Sequence, residues 1–291
     1  MARACWPHHW YAALRVTVAM IVDDFIQRFN AGLAKIKELQ LPQARRAYVE
    51  LCQTFAPPDP AGMRVENSAL GGVRVRRFIP QQRTPGCVLF IHGGGFTIGS
   101  TESHHGPAAS LAQMLEREVV SVNYRLAPEV DYPTMLADCR TVLEAIYPVA
   151  LVGDSAGGRL AIDLAHQQNE APPLGLIYPT VGALSLECLG EDAPLLSRDD
   201  VLDIRQQCPD IIATQRDRRP PAASIEMLTV ERDPLTLPIE AAIANWREEG
   251  ASVGYRCAPN MVHAALHAHA LLPGMSAAWQ DFCQKLKQRL N

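Results

Sequence analysis

From residue 88 onward, short apolar runs alternate with longer stretches whose apolar residues recur at helical spacing. The runs fall at 88–91, 119–124, 149–152, 174–178, 225–230 and 253–257. The helical stretches fall at 108–116, 134–146, 156–168, 238–249 and 276–290. Runs that are apolar on both faces must be covered on both faces, so the pattern predicts a mostly parallel central sheet flanked by helices, an α/β fold. A chain of 291 residues, 48% of them hydrophobic, can bury one large core of this kind.

Two regions stand outside the alternation. Val22, Phe25, Ile26, Phe29, Leu33, Ile36 and Leu39 mark one amphipathic helix, and Pro42 ends it or opens a second over 44–55. The rigid linker 56–60 follows, and then Gly71-Gly72 predicts a hairpin turn between edge strands at 65–70 and 73–79. Residues 180–223 carry Pro, Gly, Asp and Arg with only a broken helical pattern around 198–207, which reads as a lid. The expected organisation is an N-terminal extension with cap helices over 1–64 and the α/β domain over 65–291, with 180–223 as a small helical cap insertion. The stretch before Met20 has two Trp and two His without periodicity, and reads as a disordered extension or a misassigned start.

A net charge of -4 leaves no basic surface for nucleic acid. No stretch reaches the roughly 18 apolar residues needed to span a bilayer, and 11–22 is broken by Arg15, so neither a membrane segment nor a signal peptide is expected. The 8 cysteines form no Cys-x-x-Cys pair and several sit in apolar runs, the pattern of buried thiols in a reducing cytoplasm.

Chemistry concentrates where apolar runs end. Gly153-Asp154-Ser155-Ala156-Gly157 follows the run at 149–152, a setting in which a serine sits on a tight strand-to-helix turn with its hydroxyl proud of the sheet. His92-Gly93-Gly94-Gly95 follows the run at 88–91 and offers bare backbone N–H groups to a developing oxyanion. Acid and base candidates follow later strands, in the order Ser, acid, His. Asp233 is favoured over Glu226, which belongs inside its strand, and over Glu231, which lies too near the strand. His263 lies nearest its strand end, with His267 and His269 as rivals. The i,i+4 spacing of His263 and His267 raises a metal site, but there is no His-Glu-x-x-His and no carboxylate beside them, so neither a metal nor a cofactor is expected.

Taken with Asn123-Tyr124-Arg125-Leu126-Ala127-Pro128-Glu129, these motifs resemble the hormone-sensitive-lipase-like branch of the α/β-hydrolases, mostly bacterial carboxylesterases, over roughly residues 65–290. The resemblance implies a Ser155-His263-Asp233 triad, oxyanion donors at Gly94, Gly95 and Ala156, a supporting part for His92, and a bracing part for 124–129. It implies a small-molecule ester substrate and, in some members, a homodimer through the last strand and helix. Short-chain acyl esters are expected from the trimmed 180–223 segment. An amidase or acyltransferase would use the same site. A non-catalytic small-molecule-binding member of the fold is disfavoured by His263, because the family's receptors lose that histidine. The chain departs from the family at His263-Ala264-Ala265, where His-Gly-Phe is usual, and at His105, where an acid is usual. The link before the strand at 149–152 is also short, with Pro148 inside it.

Overall fold

The computed structural model describes residues 9–182, 184–208, 211 and 216–290. Its strands are β1 (Arg64–Leu70), β2 (Val73–Ile79), β3 (Cys87–Ile91), β4 (Glu118–Val122), β5 (Ala150–Asp154), β6 (Leu174–Ile177), β7 (Ser224–Arg232) and β8 (Ser252–Val262). They form one sheet in the order β1-β2-β4-β3-β5-β6-β7-β8. Only β2 runs against its neighbours β1 and β4; β3 to β8 are parallel. The helices are α1 (His9–Lys37), α2 (Leu41–Gln53), α3 (His105–Leu115), α4 (Tyr132–Ile146), α5 (Ser155–His166), α6 (Arg198–Gln207), α7 (Thr236–Glu248) and α8 (Pro273–Arg289). The arrangement is the mostly parallel sheet flanked by helices that the alternation predicts.

Local sequence explains the framework. Gly71 and Gly72 have φ of 55° and 85°, and Leu70 pairs with Val73 across them. Two consecutive left-handed residues make the tight hairpin turn that matches strand twist. The central strands are apolar where they cross the core: Val88 to Ile91 and Ala150 to Val152 are fully buried. α3 packs with α8, α4 packs with α5, and all four rest on the sheet. α8 comes so close to β6 that a Cβ on Gly175 would stand 2.9 Å from Leu286. α4 starts at Tyr132 rather than at 134, because Asp131 accepts the Thr134 N–H at 3.0 Å and Pro133 suits the first turn.

Two strand ends differ from expectation. β7 runs on to Arg232 and β8 to Val262, because an irregularity between Val230 and Arg232 lets the ladder resume at Arg232 and Val262. β8 is an edge strand with a partly exposed pattern, so its last residues lack the apolar signature of a central strand. At the N-terminus, where a disordered extension or a misassigned start was expected before Met20, the backbone of 9–19 continues α1; that stretch holds no Gly or Pro to break a helix. Met1 to His8 lie outside the described residues. Phe25 and Phe29 of α1 pack on Phe55 after α2, with ring centroids 5.1 and 5.8 Å away. No helix among the described residues is long and apolar enough to cross a membrane.

Candidate active site

Because β3, β5, β7 and β8 are parallel, their carboxyl ends share one rim of the sheet. His92 to Gly95 leave β3, Ser155 leaves β5, Asp233 leaves β7 and His263 leaves β8. The sheet therefore brings together residues far apart in the chain.

Ser155 is the first residue of α5 and has φ of 50°, a left-handed conformation that L-residues adopt only when held there. The turn is possible because the residues two positions to either side, Gly153 and Gly157, have no side chains. A Cβ on Gly157 would stand 2.1 Å from the Ile91 carbonyl oxygen, and one on Gly153 would stand 2.5 Å from the Gly157 carbonyl oxygen. His263 Nε2 lies 3.0 Å from Ser155 Oγ, and His263 Nδ1 lies 2.7 Å from Asp233 Oδ2. The other Asp233 oxygen accepts the Leu235 N–H at 2.9 Å, which fixes the carboxylate plane. All three side chains are buried. The Tyr178 ring packs 4.5 Å from the His263 ring.

The glycine motif borders this chain of hydrogen bonds. A Cβ on Gly93 would come within 3.1 Å of Ser155 Cβ. Gly94, Gly95 and Phe96 have φ of 113°, 56° and 64° in succession, turning the backbone sharply back on itself. The Gly94 carbonyl accepts the Thr97 and Ile98 N–H groups at 3.2 and 3.0 Å. Ile204 of α6 lies over the turn, 3.8 Å from where a Gly95 Cβ would be, and supplies an apolar cover from the insertion. Ala156, the third expected donor, is the second residue of α5, whose N-terminal N–H groups favour a nearby anion.

The expected rivals are occupied elsewhere. Glu226 pairs with Arg256 and Arg289 inside β7. Glu231 accepts the Asn260 N–H at 2.6 Å. His267 lies 3.3 Å from the Tyr48 hydroxyl, and His269 donates to the Leu266 carbonyl at 2.9 Å. His105, where the family carries an acid, reaches Asp59 at 2.6 Å.

Beneath the serine lies a buried polar layer that the motifs did not disclose. Asp154 accepts the Gly93 N–H at 3.0 Å and faces His104 Nε2 at 3.2 Å, joining the Ser155 turn to the glycine loop. Burial pushes the Asp154 carboxyl up, but His104, with His267 and His92 beyond it, outweighs burial and holds it below the usual value. Burial, then the neighbouring His104, lowers both His92 and His267 to about 3, so both rings are neutral. Tyr124 donates to the His92 carbonyl at 2.8 Å and stacks on its ring at 4.3 Å.

A family profile described as alpha/beta hydrolase fold matches residues 88–267. The chain belongs to that family, in its hormone-sensitive-lipase-like esterase branch. It is 31% identical over 315 residues to Carboxylesterase NlhH of Mycobacterium tuberculosis, covering 94% of this chain and 95% of that protein. Arylacetamide deacetylase of Bos taurus is 32% identical over 189 residues, 56% of this chain and 47% of that protein. Versiconal hemiacetal acetate esterase stcI of Emericella nidulans is 36% identical over 118 residues, 38% of this chain and 41% of that protein. The chain thus spans less than half the length of these last two relatives. Among solved structures, EstE1, a thermostable carboxylesterase cloned from a metagenomic library, superposes with a TM-score of 0.75 at 25% identity, covering 87% of this chain and 98% of that one.

Proposed function

We propose that this enzyme is a serine carboxylesterase acting on short-chain acyl esters, with Ser155 as nucleophile, His263 as base and Asp233 as its orienting acid. The observation that carries the reading is the continuous hydrogen-bonded chain from Ser155 Oγ through His263 to Asp233, at 3.0 and 2.7 Å. A serine hydroxyl attacks an ester only if its proton leaves as the bond forms. His263 Nε2 is within reach to take that proton and return it to the departing alcohol. Asp233 keeps the other ring nitrogen protonated and stabilises the imidazolium. The N–H groups of Gly94, Gly95 and Ala156 would receive the oxyanion; losing one such donor typically costs about 2.7–4 kcal/mol of barrier. Water then releases the acyl group by the same route.

Residues 1–64 and 180–223 act in this reading as a cap on an α/β domain spanning 65–291. Phe29 stacking 6.0 Å from His267 and Ile204 over Gly95 support it. Buried thiols such as Cys52, Cys139 and Cys283 suit a cytoplasmic setting. The substrate is a small molecule. An amidase or acyltransferase would share the site, and product analysis with an added alcohol separates them. The direct test is a panel of 4-nitrophenyl esters from two to sixteen carbons beside Ser155→Ala. The reading expects the short esters to turn over fastest and the variant to be inactive; wild-type rates in the variant would remove Ser155 from the reaction.

A further inference from the structure

We infer that Arg45, on the second N-terminal helix, is a positioning residue for the oxyanion loop, acting through the backbone of Thr97 and Ala127. The inference rests on the esterase reading above and adds a residue that no motif marks.

One guanidinium makes four hydrogen bonds. Nε donates to the Thr97 carbonyl at 2.9 Å, and Nη2 donates to the Ala127 carbonyl at 2.8 Å. Nη1 and Nη2 donate to the two oxygens of Glu129 at 2.8 and 2.7 Å. The two carbonyls belong to different segments, the turn after Gly95 and the 123–129 stretch. Those segments also meet directly where Ala127 N–H donates to the Phe96 carbonyl at 2.9 Å. Arg45 therefore clamps a joint from outside. Glu129 fixes the guanidinium in turn, and the Arg45 bond draws the Glu129 carboxyl below its ordinary range.

The joint needs a clamp because of its backbone. Gly94, Gly95 and Phe96 are three consecutive residues at positive φ. A left-handed non-glycine residue persists only when its surroundings over-determine it. The turn's own bonds, from Thr97 and Ile98 to Gly94, hold its shape but not its place against the sheet. Arg45, Ala127 and the Asp154 bond to Gly93 supply the external points. Donors displaced by a fraction of an ångström stabilise the oxyanion less while ground-state ester binding hardly changes. The clamp should thus appear in kcat rather than KM. Only a planar fork spans the carbonyls and the carboxylate together, so lysine cannot replace it.

The same geometry supplies a rescue. Arg45 lines a cleft of about 800 Å³ whose walls include Gly99, Tyr124 and Glu129. A free guanidinium ion can enter there once the side chain is gone.

The test compares wild type, Arg45→Ala and Arg45→Lys on 4-nitrophenyl acetate, with thermal melts on each and with millimolar methylguanidinium added. Arg45→Ala should lose about 10- to 100-fold in kcat with KM within about twofold. Methylguanidinium should restore several-fold of that loss and should not alter the wild type. Should Arg45→Ala fail to fold, Arg45→Lys decides: it should lose about 10-fold in kcat at unchanged KM. A kcat equal to wild type in either folded variant, or a loss confined to KM, overturns the inference and leaves the esterase reading intact. A wild type that hydrolyses no ester would defeat that reading instead.

Discussion

His104 Nε2 stands 3.2 Å from Asp154 Oδ2, and both side chains are buried. Asp154 immediately precedes Ser155, and its other oxygen accepts the Gly93 N–H, so this one carboxylate ties the Ser155 turn to the glycine loop. His104→Ala should cost about 3–5 kcal/mol in urea unfolding, because it leaves a buried carboxylate short of a partner. Asp154→Asn can still accept from Gly93 and should cost clearly less, about 1–3 kcal/mol. The reverse ranking would mean that the pair does not carry this joint.

Acid should weaken the fold through its neutral buried histidines. His92 and His267 are lowered to about 3, against roughly 6.5 in an unfolded chain. Between those values the unfolded chain binds more protons, so the stability present above about pH 6.5 is lost as pH falls toward 3. Each ring contributes a slope of up to about 1.4 kcal/mol per pH unit. Urea titrations from pH 7.5 to 4.5 should show His267→Phe with a shallower slope than wild type. An identical slope would mean that His267 takes up a proton in the folded state.

Arg159 lies fully buried one turn into α5, donating to Asp163 and, at 2.7 Å, to both oxygens of Asp217. Asp217 also accepts the Gly182 N–H at 2.7 Å, so both ends of the 180–223 segment are fastened to α5. Arg159→Leu would strand two buried carboxylates, with an expected loss of about 3–5 kcal/mol by denaturant unfolding. A loss under about 1 kcal/mol would show that the network is no stability element.

Ala264, after His263, takes the place of the family's usual glycine and has φ of 66°. A left-handed conformation costs an L-residue about 1–2 kcal/mol, partly offset by the lower chain entropy of alanine. Ala264→Gly should therefore raise stability by roughly 0.5–1 kcal/mol, read as a higher melting temperature. A lower melting temperature would mean that the Ala264 methyl packs usefully.

What the sequence disclosed and what it hid separate along a physical line. The alternation located β3 to β8 because central parallel strands are covered on both faces, while β1 and β2 were marked only by the Gly71-Gly72 turn between them. It stopped short on β8, whose edge position leaves Arg256, Pro259 and Asn260 in a strand without an apolar signature. The candidate site was read from motifs at strand ends, since Ser155, Asp233 and His263 each occupy the first position past a strand. The supporting contacts were not legible. Arg45 meets Glu129 across 84 positions, and Arg159 meets Asp217 across 58. A surface-type residue on an amphipathic helix carries no local mark of the carbonyl it will bind.

The most direct measurement is peptide mapping after reaction with a fluorophosphonate, which needs an activated serine and an oxyanion pocket together. The account predicts one equivalent of adduct, carried by Ser155, in parallel with loss of ester hydrolysis. An adduct on another residue, or an active enzyme that takes up none, would contradict it.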